Sequence, residues 1–258
     1  MARTFTHNIL LWTTGILIPP KGYLQGLRDL ADKHGILLIC DEVMAGVGRT
    51  GEWFAVDHWG VVPDLLTMAK GLTSAYMPLG CLAVSQKVAD HFANNVFYGG
   101  LTYSAHPMCL AAGVATLRVM QEDDIVGNSK RMGEVMKRMM LDLKDKHPCV
   151  GDVRSIGLFG CFELVKNRKT KEVLGPFVGA DPHVTKMMNF LKDEGVFAFN
   201  WKNFLHTNPP LTTTEKELKY VFGILDKALS IADKGVVPDP PGGIRPCRCQ
   251  TGLECNCR

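Results

Sequence analysis

The sequence predicts an α/β fold: a mostly parallel sheet between helices, followed by a smaller α+β lobe. Three observations predict it. Two apolar runs, residues 36–40 (ILLIC) and 65–68 (LLTM), are continuous rather than alternating, as parallel strands covered on both faces are. Each ends beside polar residues, Asp41 and Glu42 after the first and Lys70 after the second. A helical pattern of Tyr23, Leu24, Leu27, Leu30 and Ala31 precedes the first run, giving the helix–strand half of a βαβ unit.

The 258 residues are enough for a well-buried core and two lobes. An apolar content of 46% and a charged content of 21% are those of an ordinary globular chain. The formal net charge of +3 gives no reason to invoke nucleic acid or an anionic membrane. No apolar run approaches the roughly 20 residues that span a bilayer. Five scattered cysteines (Cys40, Cys81, Cys109, Cys149 and Cys161) read as small core residues in a reducing compartment. The expected location is the cytoplasm, with the mitochondrion as the alternative.

Residues 1–14 lack periodicity and are assigned no structure. Residues 15–22 (GILIPPKG) form a loop, because Pro19 and Pro20 cannot sit inside a strand or helix. The first helix runs over 23–34 and stops at Gly35. The strand 36–40 follows, then the glycine-rich turn with Gly46, Gly48 and Gly51, then the strand 65–68. Residues 71–80 (GLTSAYMPLG) are a loop of small residues, and 81–84 a third short strand. Ser85 is the expected N-cap of a helix over 87–93. A loop with Gly99, Gly100 and Thr102 leads to two long helices, one from His106 and one over 125–146. From 153 the chain becomes β-rich. A helix over 184–194, short strands at 196–199 and 204–207, and a helix over 218–232 complete the second lobe. Thr212, Thr213, Thr214 and Glu215, with acids in the first turn, mark the start of that last helix.

Ligands of open α/β sheets bind beyond the C-terminal ends of the strands. Asp41 and Lys70 both stand there. A lysine amine whose environment lowers its pKa can form a Schiff base with a carbonyl cofactor. A carboxylate facing a pyridine nitrogen keeps it protonated, so that the ring becomes an electron sink. On spacing alone the pair is also compatible with a turn cap and a solvated surface lysine.

The segment DEVMAGVGRTGEWFAVDHWGVVPDLLTMAKGLTSAYMPLG closely resembles the core of the class III aminotransferases. The likeness continues through FYGGLTYSAHPMCLAAG, GLFGCFELVKNRKTKE and NFLHTNPPLTTTEKEL. These are the ω-amino-acid transaminases of the fold-type I pyridoxal phosphate enzymes. The resemblance implies pyridoxal 5'-phosphate as cofactor, part of the fold-type I large domain over 15–140, and a small C-terminal α+β domain over 141–236. It implies that Asp41 pairs with the pyridine nitrogen and that Val43 packs on the ring. It implies that Lys70 forms the Schiff base and then serves as the base of the proton shift. Thr102 would bind the cofactor phosphate across a homodimer interface. The substrates would be an amino donor and a 2-oxo acid acceptor, with no nucleic acid, membrane or metal.

Taken without the family, Val43 is simply core and Thr102 simply a loop hydroxyl. Arg49 is a candidate carboxylate clamp on charge grounds, although a structural role near the turn is preferred. His106 reads as a helix-start residue. Glu42 points to the opposite face from Asp41 if the strand continues. The wording of DEVMAG and GLTYSAHP is nearer to taurine, β-alanine and GABA types than to acetylornithine types, with diaminopelargonate or ornithine donors as alternatives. Met44 stands where many relatives have Gln, so a hydrogen bond to the ring hydroxyl is not available there. Arg154 is the candidate for the acceptor carboxylate.

Family members are longer on the N-terminal side. The resemblance therefore implies an N-terminally incomplete fragment with residues 1–14 as an atypical leader. It would lack the Gly/Ser phosphate loop and one ring-stacking aromatic, expose apolar sheet edges, and bind the cofactor weakly alone. A non-catalytic role as a subunit-interaction protein is the rival reading. Residues 237–258 depart from the family. Their C-x-C-x5-C-x-C cluster (Cys247, Cys249, Cys255, Cys257) differs from C-x2-C zinc spacing and has no histidine. A disordered tail is expected.

Overall fold

The computed structural model describes residues 3–8, 10, 14–175 and 179–239. The cysteine cluster of the tail lies outside the described residues. Two sheets organise the rest. The first has the order β1 (Arg3–Asn8), β2 (Ile36–Asp41), β3 (Leu65–Met68), β4 (Cys81–Val84). Strands β1, β2 and β3 run parallel, and β4 is antiparallel to β3. The sheet is therefore mixed, with the two predicted strands side by side at its centre.

Strand β1 corrects the expectation that residues 1–14 carry no structure. It pairs with β2 along its whole length, from Arg3 opposite Ile36 to Asn8 opposite Asp41. The sequence RTFTHN has no apolar run to announce it. The pairing surface comes from β2 instead, whose backbone ladder offers an open side.

Helix α1 (Tyr23–His34) packs on this sheet through Leu24 and Ala31. Gly35 ends it in a left-handed conformation, φ 61°, with its N–H on the carbonyls of Ala31 and Asp32. Lys33 and His34 lie in the last turn, where the helix dipole favours cations. Arg28 Nη1 reaches Asp64 Oδ2 at 2.8 Å, and the same oxygen accepts the Leu38 N–H at 2.8 Å. One carboxylate thus joins α1, β2 and the start of β3. Burial alone would raise the Asp64 pKa, but the Leu38 amide and the Arg28 guanidinium outweigh it and hold the carboxyl below its usual value.

Helices α2 (Gln86–Ala93), α3 (Pro107–Glu122) and α4 (Ile125–Lys146) follow. Ser85 occupies the N-cap of α2 as expected, but its backbone carbonyl does the capping, accepting from Val88 and Ala89. His106 is the N-cap of α3, before Pro107. The predicted lobe boundary at residue 141 falls inside α4, which runs on without a break to Lys146.

The second sheet has the order β5 (Val150–Ile156), β6 (Phe159–Leu164), β8 (Phe204–Thr207), β7 (Phe199–Trp201), all antiparallel. Helices α5 (Pro182–Asp193) and α6 (Glu215–Ala232) cover it together with α4. Thr214 and Glu217 close a reciprocal capping box at the start of α6. Buried His147 clamps the end of α4 to α6, with Nδ1 on Asp233 and Nε2 on Asp226, both at 2.7 Å.

Strand β6 is the wall between the two cores. Successive side chains of a strand face opposite ways. Phe159 and Cys161 join the first sheet's core with Leu24, Leu38 and Cys40. Phe162 and Leu164 join the second with Met136, Met140 and Leu229. Truncating fully buried Leu38 or Phe162 to alanine removes about 2–5 kcal/mol.

Candidate active site

Asp41 is the last residue of β2 and stands opposite Thr67 of β3. Its Oδ1 accepts the Val43 N–H at 3.0 Å and the Thr67 hydroxyl at 3.2 Å. Two donors from different strand ends fix the carboxylate plane. Both bonds fall on Oδ1, so among the described residues Oδ2 remains for a donor from outside the chain. Thr67 is a partner of Asp41 that the sequence reading missed. Its signal was present: a lone hydroxyl in an apolar strand, paired by register with the acid.

Lys70 is separated from the end of β3 by Ala69 alone and opens a 3-10 turn, Lys70–Thr73. Parallel neighbours end at the same side of a sheet, so register brings Asp41 and Lys70 to one rim. Lys70 is exposed and has a positive φ of 44°. A left-handed conformation at a residue with a Cβ costs about 1–2 kcal/mol. The cost is met by what packs around the turn. Gly71 lies against Val47, where an added Cβ would stand 3.0 Å from the valine Cβ. The Leu72 carbonyl faces Gly113 of α3, 3.8 Å from a Cβ built there. The glycine-rich motif after β2 and the lysine motif after β3 are therefore one packed unit.

Glu42 turns away from Asp41, as strand alternation requires. Its N–H donates to the Thr67 carbonyl at 2.9 Å, and its Oε1 accepts the Val56 N–H at 2.8 Å. It is 1% exposed. Burial pushes its pKa up to about 7; the Ala55 and Val56 amides offset part of that, and the charges of Asp57 and Asp41 add to it. Arg49 makes the structural contacts preferred for it near the turn. Its Nη1 donates to the Leu158 carbonyl at 3.0 Å and to the Pro209 carbonyl at 2.6 Å, joining the turn to the second lobe. Burial draws its pKa down to about 10, so it stays charged at neutral pH.

Arg154 is also committed elsewhere. Nη1 pairs with Asp152 at 2.9 Å and Glu163 at 2.8 Å, Nε donates to the Gly15 carbonyl, and the guanidinium stands over the Phe204 ring. Met44 packs against the first core. Thr102 sits on an exposed turn closed by Leu101 and Ser104. A cavity of about 430 Å³ beside β8 and α6 is lined by Phe197, His206, Pro209 and Tyr220, and neither Asp41 nor Lys70 borders it. The groups that fit a pyridine nitrogen and a carbonyl carbon are Asp41 and Lys70.

The sequence model for the family described as "Aminotransferase class-III" matches residues 13–229. The chain belongs to the class III aminotransferase family. The taurine–pyruvate aminotransferase of Bilophila wadsworthia is 35% identical over 233 residues, covering 85% of this chain and 50% of that protein. The putrescine–pyruvate aminotransferase of Pseudomonas aeruginosa is 39% identical over 160 residues, 61% of this chain and 35% of that protein. The crystal structure of taurine:2-oxoglutarate aminotransferase from Bifidobacterium kashiwanohense, in complex with PLP and glutamate, superposes with a TM-score of 0.87 at 39% identity. It covers 91% of this chain and 52% of that one. The fold is that of the pyridoxal phosphate-dependent transaminases, and pyridoxal phosphate is the cofactor consistent with the family. The chain spans about half the length of the curated relatives it matches. No helix among the described residues is long and apolar enough to cross a membrane.

Proposed function

We propose that the chain carries the acid-and-amine half of a pyridoxal phosphate site in a transaminase that moves an amino group from an ω-amino acid to pyruvate or a similar 2-oxo acid. The observation that carries the reading is the adjacent placement of Asp41 and Lys70 at the ends of two neighbouring parallel strands. The taurine and putrescine relatives support the donor class.

Each residue has a definable task. Asp41 would accept the pyridine N–H on Oδ2, while Val43 N–H and the Thr67 hydroxyl hold Oδ1 in place. Val43 would lie on one ring face. Lys70 Nζ would bind the cofactor's carbonyl carbon and, once displaced by the donor amine, move the proton at the donor carbon. Bound pyridoxal phosphate supplies the electron sink for that proton transfer. Thr102, on its exposed turn, would serve the phosphate of a second subunit, which makes a homodimer part of this reading.

Borohydride trapping tests it. The chain is mixed with pyridoxal phosphate, reduced, digested and mapped by mass spectrometry. Label on Lys70, absent from Lys70→Ala, is the expected result. Label spread over other lysines and unchanged in Lys70→Ala sinks the reading. Turnover with taurine, β-alanine, GABA, ornithine and diamine donors then ranks the donor.

A further inference from the structure

Glu42 is a carboxyl sealed directly behind the strand-end acid. Its backbone is pinned on both sides: its N–H donates to the Thr67 carbonyl and its own carbonyl accepts the Gly46 N–H, both at 2.9 Å. The side chain is buried, with Oε1 on the Val56 N–H at 2.8 Å. Oε2 is buried too and, among the described residues, has no hydrogen-bond partner. Buried polar atoms are nearly always bonded, so an exception needs a reason. A purely structural residue here would need only an oxygen for the Val56 amide; an ionisable one adds a proton.

The ionisable groups set against Glu42 are Cys40 and Asp41 of its own strand and Asp57 of the 3-10 turn Ala55–Trp59. From β3 it meets the Thr67 carbonyl. Burial pushes the Cys40 thiol up to about 12, so it stays uncharged. Among the described residues none of the charges that shift Glu42 is a cation. Burial first, then the Asp57 and Asp41 charges, raise its pKa to about 7 against the pull of the Ala55 and Val56 amides. Thr67 ties the two acids together, its carbonyl on the Glu42 N–H and its hydroxyl on Asp41 Oδ1.

We propose that Glu42 is a positioning residue for the proton on the cofactor's ring nitrogen, a second acid behind Asp41 whose charge state sets how firmly that proton is held. The inference rests on the role proposed above for Asp41. Coupling between two sites is reciprocal. A protonated ring nitrogen against Asp41 offsets the Asp41 charge, so Glu42 releases its own proton to solvent more readily. Once ionised, Glu42 adds a negative charge one residue from Asp41 and makes the ring nitrogen harder to deprotonate. The two acids then respond to pH as a unit.

The first arm of the test needs no cofactor. Carbon-13 NMR of the full chain, labelled at its side-chain carboxyls, follows Glu42 and Asp41 against pH. The expected result is a Glu42 carboxyl that titrates near neutrality, with the Asp41 signal stepping at the same pH. Glu42→Gln removes that step. A Glu42 already ionised at about pH 5, as an ordinary glutamate is, overturns the proposal. So does an Asp41 signal that stays still while Glu42 titrates. This arm reads the wild-type chain, so it decides even where Glu42→Gln does not fold. The second arm uses the borohydride-reduced adduct on Lys70, whose absorbance reports the ring proton. Glu42→Gln is expected to weaken the hold on that proton at pH 8 by at least about threefold, the scale of one nearby charge at partial burial; Glu42→Asp, which keeps the charge, should recover part of it. A Lys70 adduct whose ring proton ignores Glu42 sinks this inference and leaves the proposed function standing. Failure to label Lys70 at all sinks the proposed function, and the ring role of Glu42 with it, whatever the first arm shows.

Discussion

Arg49 donates to the carbonyl of Pro209, 160 residues away, at 2.6 Å. The same nitrogen holds the Leu158 carbonyl. One guanidinium in the turn after β2 therefore fixes the second lobe to the sheet that carries Asp41 and Lys70. Removing it strands two carbonyls at the lobe junction. Arg49→Ala is expected to lower unfolding stability by about 2–4 kcal/mol. Arg49→Lys should lose less, because a compact ammonium can still reach one of the two acceptors. Urea denaturation of the three proteins measures this. A wild-type midpoint in Arg49→Ala would show that the junction is held elsewhere.

Glu42 makes stability depend on pH in a defined direction. Its folded pKa of about 7 lies above the ordinary 4.5. The folded state then binds the proton more tightly than the unfolded state. The contribution is fully present below pH about 4.5 and is lost as pH rises through about 7, a change on the order of 3 kcal/mol. Glu42→Gln keeps an oxygen for the Val56 amide and removes the titration. The variant should be more stable than wild type at pH 8 and close to it at pH 5, as read from melting temperatures. Parallel pH profiles for the two proteins would refute the assignment.

Gly71 tests whether the two motifs work as one unit. A Cβ there would stand 3.0 Å from the Val47 Cβ, tighter than relaxed packing allows. Gly71→Ala is expected to cost about 1–3 kcal/mol and to shift the turn that begins at Lys70. Borohydride trapping of Lys70 should fall with it. Unchanged stability and unchanged trapping would mean that Val47 yields freely.

What the sequence revealed followed the range of each signal. The strand-end positions of Asp41 and Lys70 were legible because each follows an apolar run, a pattern confined to a few residues; their roles came only with the family resemblance. The helix start around Thr214 and the stop at Gly35 were legible for the same reason. Strand β1 was not, because RTFTHN is stabilised by β2 rather than by its own pattern. The Arg49 and His147 contacts were hidden because their partners lie far along the chain. The strand 65–68 was expected to be covered on both faces, and all four residues are only half-buried. Periodicity reports that a strand is apolar; it does not report whether the covering element belongs to the same chain.

Asp41→Asn separates chemistry from structure. The amide keeps an Oδ1 able to accept from Val43 N–H and the Thr67 hydroxyl, so the strand ends should stay in place and stability should change little. What is lost is the negative charge on Oδ2. A neutral amide cannot hold a proton on a pyridine nitrogen as a carboxylate does, so the ring becomes a poorer electron sink. In an assembled, cofactor-loaded protein the single-turnover rate of donor consumption is expected to fall at least 10²-fold, the size of effect that removing one preorganised electrostatic contact produces. Trapping of Lys70 should persist, because that bond forms at a different atom of the cofactor. A rate within about threefold of wild type, with trapping intact, would remove Asp41 from the ring-nitrogen role and point to Thr67 and Val43 as a purely structural turn. A rate loss accompanied by loss of trapping would instead mean that the substitution disturbs the rim that holds Lys70, which circular dichroism and the melting temperature would register independently.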